Sequence, residues 1–460
     1  MRESRSERHK KSKPRLTFKT RDLVLPLAAV LLVAVIGLTV WAIGGGRGST
    51  ATEPPEPSGD PGGGAASTAT PKPTGTPEAT AKPGTPTPMP SQSPSSGGTA
   101  VPAPGATHTP GTGGTAKPDD DSRVKLAFVG DVIFASTVET VLRREGFDYP
   151  YRNVKSHLQN ADVTVANLET PITSRGTPQK KDFVYRSPAE ALPAFKEAGF
   201  DLVNMANNHI LDYGIEGLLD TFDHLDKAGI QHVGAGRNVA EAFQPVIVEK
   251  KGIKVAFLGF SRVVENADWK VGKDKDGRDR PGVADTYALT LPIETIKQAK
   301  AKADLVVVIT HWGIERNDMP ESYQREFAKK YIDAGADLIV GGHPHVLQGF
   351  ESYNGKWIAY STGNFLFTTR ADAPKTWESG ILQASCTKQG ACELGLVPVW
   401  NKWALPDYML EPDNLKLFER LSNISFGATV DKDGSIRSRP GAQSSASPKP
   451  TEKPTTKPTP

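Results

Sequence analysis

The sequence predicts a layered α/β domain, and three observations carry that prediction. Between residues 123 and 437, short β-branched runs alternate with stretches of helical period, the pattern of strands covered by helices. Several of the helical stretches stop at a glycine, which a helix C-terminus favours. Polar and ionisable residues recur just past the ends of the strands, the edge at which open α/β sheets bind ligands.

Taken in order, strands are expected at 124–132, 162–169, 201–206, 245–250, 254–260, 305–310 and 338–341, with a hairpin around 353–360. Each is a short run rich in Val, Ile, Leu or Phe. Helices fit 137–145, 188–198, 215–228, 292–301 and 321–334, four of them closing at Gly146, Gly199, Gly229 and Gly335.

The 460 residues overstate the folded content, because many of the 38 prolines and 44 glycines lie outside this domain. Residues 44–122 are almost entirely Pro, Thr, Ser, Gly and Ala, too poor in large apolar side chains to offset the entropy of ordering. Such a stalk reaches roughly 50 Å if coil-like and about 240 Å if drawn out by its prolines. Residues 438–460 repeat Lys-Pro and Thr-Pro elements and read as a second disordered tail. A basic segment at 1–22 precedes an uncharged apolar run at 23–43, long enough to span a bilayer as a single N-terminal helix. The positive charge keeps the N-terminus cytoplasmic and places the main domain outside the cell membrane on a single-pass anchor. The alternative is a cleaved signal peptide, whose apolar core normally runs about 7–15 residues.

The 55 Lys and Arg nearly balance 52 Asp and Glu, which gives no reason to expect nucleic acid as a partner. Cys386 and Cys392, the only cysteines, flank a short loop between alternating apolar stretches. Outside the membrane they can pair across a hairpin; two free thiols are the alternative. No nucleophile-elbow serine and no glycine-rich phosphate loop is present, so covalent catalysis is disfavoured.

The chemistry gathers at the strand ends. Asp131 closes the first strand, Asn167 and Glu169 the second, and Asn207, Asn208 and His209 the third. His311 and Trp312 follow a later strand, His343 and His345 the last of the series, and Asn364 the hairpin. Four of the nine histidines fall at these positions, which a random surface scatter does not produce. Imidazole, carboxylate and carboxamide oxygen are the ligands that borderline divalent metals prefer.

The segments FVGDV, ANLETPI, NMANNHILDYG, GAGRN, THWGIE, GGHPHVLQG and YSTGNFLF occur in that order. Over about residues 124–400 the chain thereby resembles the CapA (PgsA) family. That family is named for poly-gamma-glutamate capsule synthesis and is related in fold to the calcineurin-like metallophosphoesterases. The resemblance implies a metallophosphoesterase-like domain holding one or two divalent ions, Mn or Fe preferred and Zn or Mg possible. Position by position, it makes Asp131 and His345 ligands of a first metal, Glu169 the bridging carboxylate, and Asn208, His311 and His343 ligands of a second. His209 stands where the superfamily keeps a histidine that protonates the leaving group. Two ions about 3.5–4 Å apart activate water and stabilise charge on the attacked group, which suits phosphoester hydrolysis. Two positions depart from the pattern: Ile133 stands where the first motif carries histidine, and Glu169 replaces an aspartate. Both leave room for a single occupied site.

Around this set, Asn167, Asn207 and Asn364 either orient ligands or cap loops. Trp312 either stacks on substrate or, preferably, packs beneath the loop. His157, His224 and His232 lie off the cluster, and Lys180, Lys181 and Arg186 read as a charged exposed loop or a lure for an anionic substrate. Asp212 reads as a helix N-cap. Two functions follow from the resemblance. One is a non-hydrolytic component of capsule synthesis that handles poly-gamma-glutamate or another anionic cell-surface polymer alongside other capsule synthesis subunits. The other is a metal-dependent hydrolase with His209 as general acid.

Overall fold

A computed structural model of the chain describes residues 122–368 and 372–439. The anchor expected at 23–43, the stalk as far as residue 121 and the tail from residue 440 lie outside them. Among the described residues, no helix is long and apolar enough to cross a membrane.

The first half supplies four strands to one sheet: β1 (Arg123–Val132), β2 (Val163–Leu168), β3 (Phe200–Asn204) and β4 (Gln231–Val233). The chain then builds a second sheet from β5 (Val246–Lys250), β6 (Ile253–Ser261), β7 (Leu305–His311), β8 (Leu338–Gly342), β9 (Phe350–Tyr353) and β10 (Lys356–Ala359). It returns to the first sheet through β11 (Asn364–Leu366), β12 (Glu378–Thr387), β13 (Cys392–Lys402), β14 (Leu405–Tyr408), β15 (Ala428–Val430) and β16 (Ser435–Ser438). The larger sheet has ten strands and the order β15-β16-β13-β12-β1-β2-β3-β4, with β11 beside β1 and β14 beside β13. The smaller has six, in the order β9-β10-β8-β7-β6-β5. In both, the strands that carry the site run parallel: β1 with β2 and β11, β2 with β3, and β7 with β8.

The apolar runs divide with period two between the two faces of each sheet. In β7, Leu305, Val307 and Ile309 join one core with Leu126, Phe128, Val165 and Leu202 of the larger sheet, so the sheets pack face to face. Val306 and Val308 join a second core with the helices α5 (Thr290–Lys300) and α6 (Ser322–Ala334). The outer face of the larger sheet is covered by α1 (Thr137–Glu145), α2 (Lys155–Gln159), α3 (Leu192–Glu197) and α4 (Gly214–Ala228). The result is helix, sheet, sheet, helix. Continuous apolar strands such as β7 are required because both faces are covered, and each fully buried large side chain contributes roughly 1.5–3 kcal/mol.

Several elements differ from the sequence reading. The strands divide between two main sheets, which the order of strands along the chain does not specify. The helix expected over 188–198 is broken into a 3-10 turn, Ala189–Ala191, and α3, because Pro193 has no N–H for an intrahelical bond. A helix α7 (Asp413–Asn423), absent from the sequence reading, turns Leu417, Phe418 and Leu421 into the core between the sheets. The final strand β16 passes the boundary expected at residue 437, since Ile436 is buried and pairs with Leu394. The two cysteines face each other across β12 and β13 and form a disulfide.

Candidate metal centre

The carboxyl ends of β1, β2 and β3 from one sheet meet those of β7 and β8 from the other, and the polar residues occupy this junction. Asp131 and Glu169 are fully buried, as is His311, and Asn208 and His343 are nearly so. Backbone geometry makes room for them. A Cβ on Gly342 would stand 2.9 Å from Asp131 Oδ1. His343 and His345 both sit at positive φ, 94° and 56°, a conformation that costs of order 1–3 kcal/mol for a non-glycine residue. The alternation of a strand would have sent these side chains elsewhere.

Two groups of donors form. Asp131, Glu169 and His345 offer atoms within 4.8 Å of one another, and so do Glu169, His311 and His343. Glu169 is common to both. In the first group His345 Nδ1 lies 3.1 Å from Asp131 Oδ2. In the second, His311 Nε2 lies 2.8 Å from Asn208 Oδ1 and 3.2 Å from Glu169 Oε1. For donors about 2.1 Å from an ion, neighbouring corners of an octahedron are about 3.0 Å apart, so these spacings already match the edges of a coordination shell. Neither oxygen of Glu169 has a hydrogen-bond partner, nor does His343 Nδ1, and all three atoms are buried. Unpartnered buried polar atoms are expensive; bare donors on two residues of one such group, Glu169 and His343, are what a metal site presents. The donor set fits divalent ions.

Charge follows the same geometry. Burial works against charge on His345, but Glu169 and Asp131 outweigh it and keep the imidazole protonated up to about pH 9. Burial likewise works against ionised Asp131, yet His345, with help from His311 and Asn167, holds its carboxyl below the usual range. Burial, reinforced by His311 and His345, keeps His343 neutral, the form in which imidazole ligates.

The remaining expected residues fall into three groups. Asn167 donates from Nδ2 to Asp131 Oδ1 at 2.8 Å and lies 3.2 Å from His311 Nδ1, so it braces one donor of each group. Asn207 shapes the turn, donating to Leu168 O while its Oδ1 accepts from the backbone of His209 and Ile210. Asn364 places Oδ1 2.9 Å from His345 Nδ1. Trp312 does not reach the cluster: it is fully buried against the helices of the smaller sheet, and Nε1 donates to Tyr360 O. It neither touches a substrate space nor supports a donor. Ile133 also points away, into the apolar core under the larger sheet.

Asp212 corrects the sequence reading. It caps no helix; α4 begins at Gly214 with no side-chain cap. Asp212 is instead fully buried, with Oδ2 2.8 Å from His209 Nδ1. Nδ1 also lies 3.3 Å from Lys181 Nζ, so this nitrogen faces a carboxylate and an ammonium together and the ring is held from that side. Lys181, expected on an exposed loop, is 10% exposed at its side chain, pairs with Asp212 Oδ1 at 3.0 Å and donates to Asn208 O. Asn204 is a further residue missed, donating to Asn167 Oδ1 at 2.9 Å. A buried Asn inside an expected strand was its only signal. A cleft opens over His209, His345 and Asn364, with Phe183, Tyr185, Phe367 and the neighbouring Glu315 and Arg316 among its walls.

Comparison with known proteins places this chain in a family. Residues 125–369 match the model of the bacterial capsule synthesis protein PGA_cap. The chain is 36% identical over 291 residues to the capsule biosynthesis protein CapA of Bacillus anthracis, covering 62% of this chain and 69% of that one. It is 34% identical over 329 residues to the PGA biosynthesis protein CapA of Bacillus subtilis, covering 70% and 83%. A probable polyglutamine synthesis accessory protein of Mycobacterium tuberculosis is 33% identical over 47% of this chain and 59% of its own. Among solved structures, a 5'-nucleotidase from Candida albicans aligns at 13% identity and a TM-score of 0.33, over 61% of this chain and 52% of that one. That likeness is too loose to bear on function. The family match covers more than half the chain and agrees with the relatives from both Bacillus species, so the protein belongs to the bacterial capsule synthesis family PGA_cap, the CapA family.

Proposed function

We propose that the protein is a membrane-anchored, extracytoplasmic component of poly-gamma-glutamate capsule synthesis or export, built around a divalent-metal site of metallophosphoesterase type. One observation carries the metal reading: Glu169, a buried carboxylate without a hydrogen bond, is shared by two groups of donors. Family membership supports the capsule setting. The layering of two helix-covered sheets, with the donors at their carboxyl ends, supports the metallophosphoesterase-like fold. The basic segment and apolar run at 1–43 support the anchor.

When bound, divalent ions supply Lewis-acid activation of water and stabilise charge on the attacked group. The protein's part is positional. Asp131, Glu169 and His345 would hold one ion, and Glu169, Asn208, His311 and His343 the other, with Mn or Fe favoured over Zn or Mg. Asn167 fixes one member of each group. The aromatic walls of the cleft shed water from a bound chain, and with Glu315 offsetting Arg316 there, the positive charge that meets an anionic chain comes from the bound ions. An anionic cell-surface polymer such as poly-gamma-glutamate fits that combination, and other capsule synthesis subunits are the expected membrane partners.

A second reading is an active phosphoesterase on an envelope substrate unrelated to that polymer. The His209–Asp212 contact favours it, because a carboxylate behind Nδ1 stabilises a proton held at Nε2, where a leaving oxygen can take it. The two readings separate experimentally. The full chain, purified from membranes, should carry Mn or Fe by elemental analysis, and Glu169→Ala should lose it. In a capsule-forming strain lacking the gene, the wild-type chain should restore cell-bound gamma-linked glutamate polymer and Glu169→Ala should not. Normal polymer in the deletion strain, together with turnover of a phosphodiester by the purified chain, would select the second reading. Metal-free wild-type protein that still restores the polymer would sink the metal site. Recovery of the protein in the soluble fraction, beginning near residue 44, would overturn the anchor.

A further inference from the structure

The first group of donors is one ligand short by the family pattern, because Ile133 lies in the apolar core and offers nothing. Another residue already stands at the gap. Asn364 is 1% exposed and lies directly beside Asp131 in the parallel register of β1 and β11. The two backbones approach unusually closely here. Asp131 N donates to Gly363 O at 2.9 Å, and a Cβ on Gly130 would stand only 1.8 Å from that same oxygen. Gly363 itself takes φ 66°. The turn that carries Asn364 is therefore fixed against the strand that carries Asp131.

The carboxamide is oriented as well as placed. Asn364 Nδ2 donates to Thr376 O at 3.3 Å, which turns Oδ1 toward the cluster. There, Oδ1 is 2.9 Å from His345 Nδ1, which is 3.1 Å from Asp131 Oδ2. Both are edge lengths of a shell with donors about 2.1 Å from its centre. His345 Nδ1 thus faces both oxygens, and the three donor atoms close on one another at the spacing that ligands of a single ion keep.

We propose that Asn364 Oδ1 is a ligand of the first ion, taking the place left by Ile133, so that this ion is held by Asp131, Glu169, Asn364 and His345. The inference rests on the metal reading given above. It also sets a relative preference: three oxygens and one nitrogen form a harder site than one with a second imidazole, and narrow the advantage that Zn holds over Mn.

The test titrates the full chain with Mn and, separately, Zn, reading bound ion per chain by elemental analysis and free Mn by electron paramagnetic resonance. Asn364→Ala should weaken binding of one ion by at least about tenfold and leave the second group's ion in place. Asn364→Asp, close to isosteric, should keep both ions and guard against a folding defect in the alanine variant. Asn364→His should shift the first site's preference toward Zn, because it exchanges an oxygen donor for nitrogen. Wild-type Mn affinity at both sites in Asn364→Ala overturns the proposal. So does a loss in Asn364→Ala joined to an unchanged Mn-to-Zn preference in Asn364→His, since Asn364 would then act only by positioning His345. A wild-type chain that binds neither ion overturns the metal reading itself, and is distinguished from both outcomes by the wild-type titration alone.

Discussion

Replacing Glu169 with glutamine should raise stability without metal and lower it with metal. The side chain is fully buried and both oxygens lack hydrogen bonds. Leaving a buried group unsatisfied costs about 1–3 kcal/mol, and more when it is charged; the attraction between Glu169 and protonated His345 offsets part of that cost, so removing the charge should stabilise the metal-free protein by a net of about 2 kcal/mol. A folded unit of roughly 320 residues has an unfolding entropy of about 0.7 kcal/mol/K, at about 2.1 cal/mol/K per residue. The metal-free variant should therefore melt about 3 °C above wild type. With Mn at about 100 times its Kd, wild type gains about 2.7 kcal/mol per ion, or about 4 °C. Glutamine cannot serve both groups as an anionic donor, so the variant should gain little. Its melting temperature should fall about 1 °C below wild type with one ion bound and about 5 °C below with two. Differential scanning calorimetry of both chains, after chelation and again with Mn, reads all four values. A variant less stable than wild type after chelation, yet equally stabilised by Mn, would refute the assignment of Glu169 as the shared donor.

On the phosphoesterase reading, Asp212→Asn should lower phosphodiester turnover by about 100-fold with metal content unchanged, since His209 loses the carboxylate behind Nδ1; unchanged turnover removes His209 from proton transfer. The metal-free pKa of His345, raised from 6.5 to about 9, means an ion must displace a proton at any lower pH. Calorimetry of Mn binding at pH 7, in two buffers of different ionisation enthalpy, should return about one proton released per first ion, and affinity should fall as pH drops below 9. No release at pH 7 would contradict that protonated state. Ile133→His should not rebuild the family's first motif. It should cost about 2 kcal/mol by burying a polar ring in an apolar core, and a tighter first ion in that variant would show that the side chain reaches the site. Reducing the Cys386–Cys392 disulfide, whose sequence separation is 6, should lower stability by about 2 kcal/mol. It should leave metal content unchanged, because Cys386 pairs with Val124 at the opposite end of β1 from Asp131. Metal loss on reduction would count against that separation.

The site was legible where a residue's role depends on its place after a strand, and illegible where it depends on a partner far along the chain. Asp131, Glu169, Asn208, His311, His343 and His345 each follow a β-branched run, and each lies where the two sheets meet. Asp212 shows the other case. Three residues past His209 and two before a helix, it has the sequence signature of a cap, and only the turn of 207–212 brings its carboxylate to His209 Nδ1. Lys181 sits in a segment of charged residues beside Lys180 and Asp182, and its burial follows from Asp212, 31 positions later. The two-sheet arrangement escaped notice because apolar strands covered on both faces read alike whether a helix or another sheet lies above them. Nothing in Leu305–His311 alone says that its odd positions meet a sheet and its even ones a helix.

The charges of the buried cluster bear on how many ions it holds. Asp131 and Glu169 bring two negative charges, and protonated His345 brings one positive, a net of −1, while Lys181 and Asp212 offset each other nearby. A first divalent ion that displaces the His345 proton brings the cluster to zero, so its entry is favoured by the field already present. A second leaves the cluster at +2, in surroundings where an uncompensated charge costs several kcal/mol. An anionic ligand in the cleft relieves that excess. Second-ion binding and anion binding are then coupled, and by thermodynamic linkage each must tighten the other by the same factor. A carboxylate-rich polymer and a phosphoester both supply the required charge. On the proposed metal reading the electrostatics therefore favour an anionic ligand without choosing between the two, and the choice falls to His209, Asp212 and the shape of the cleft above them.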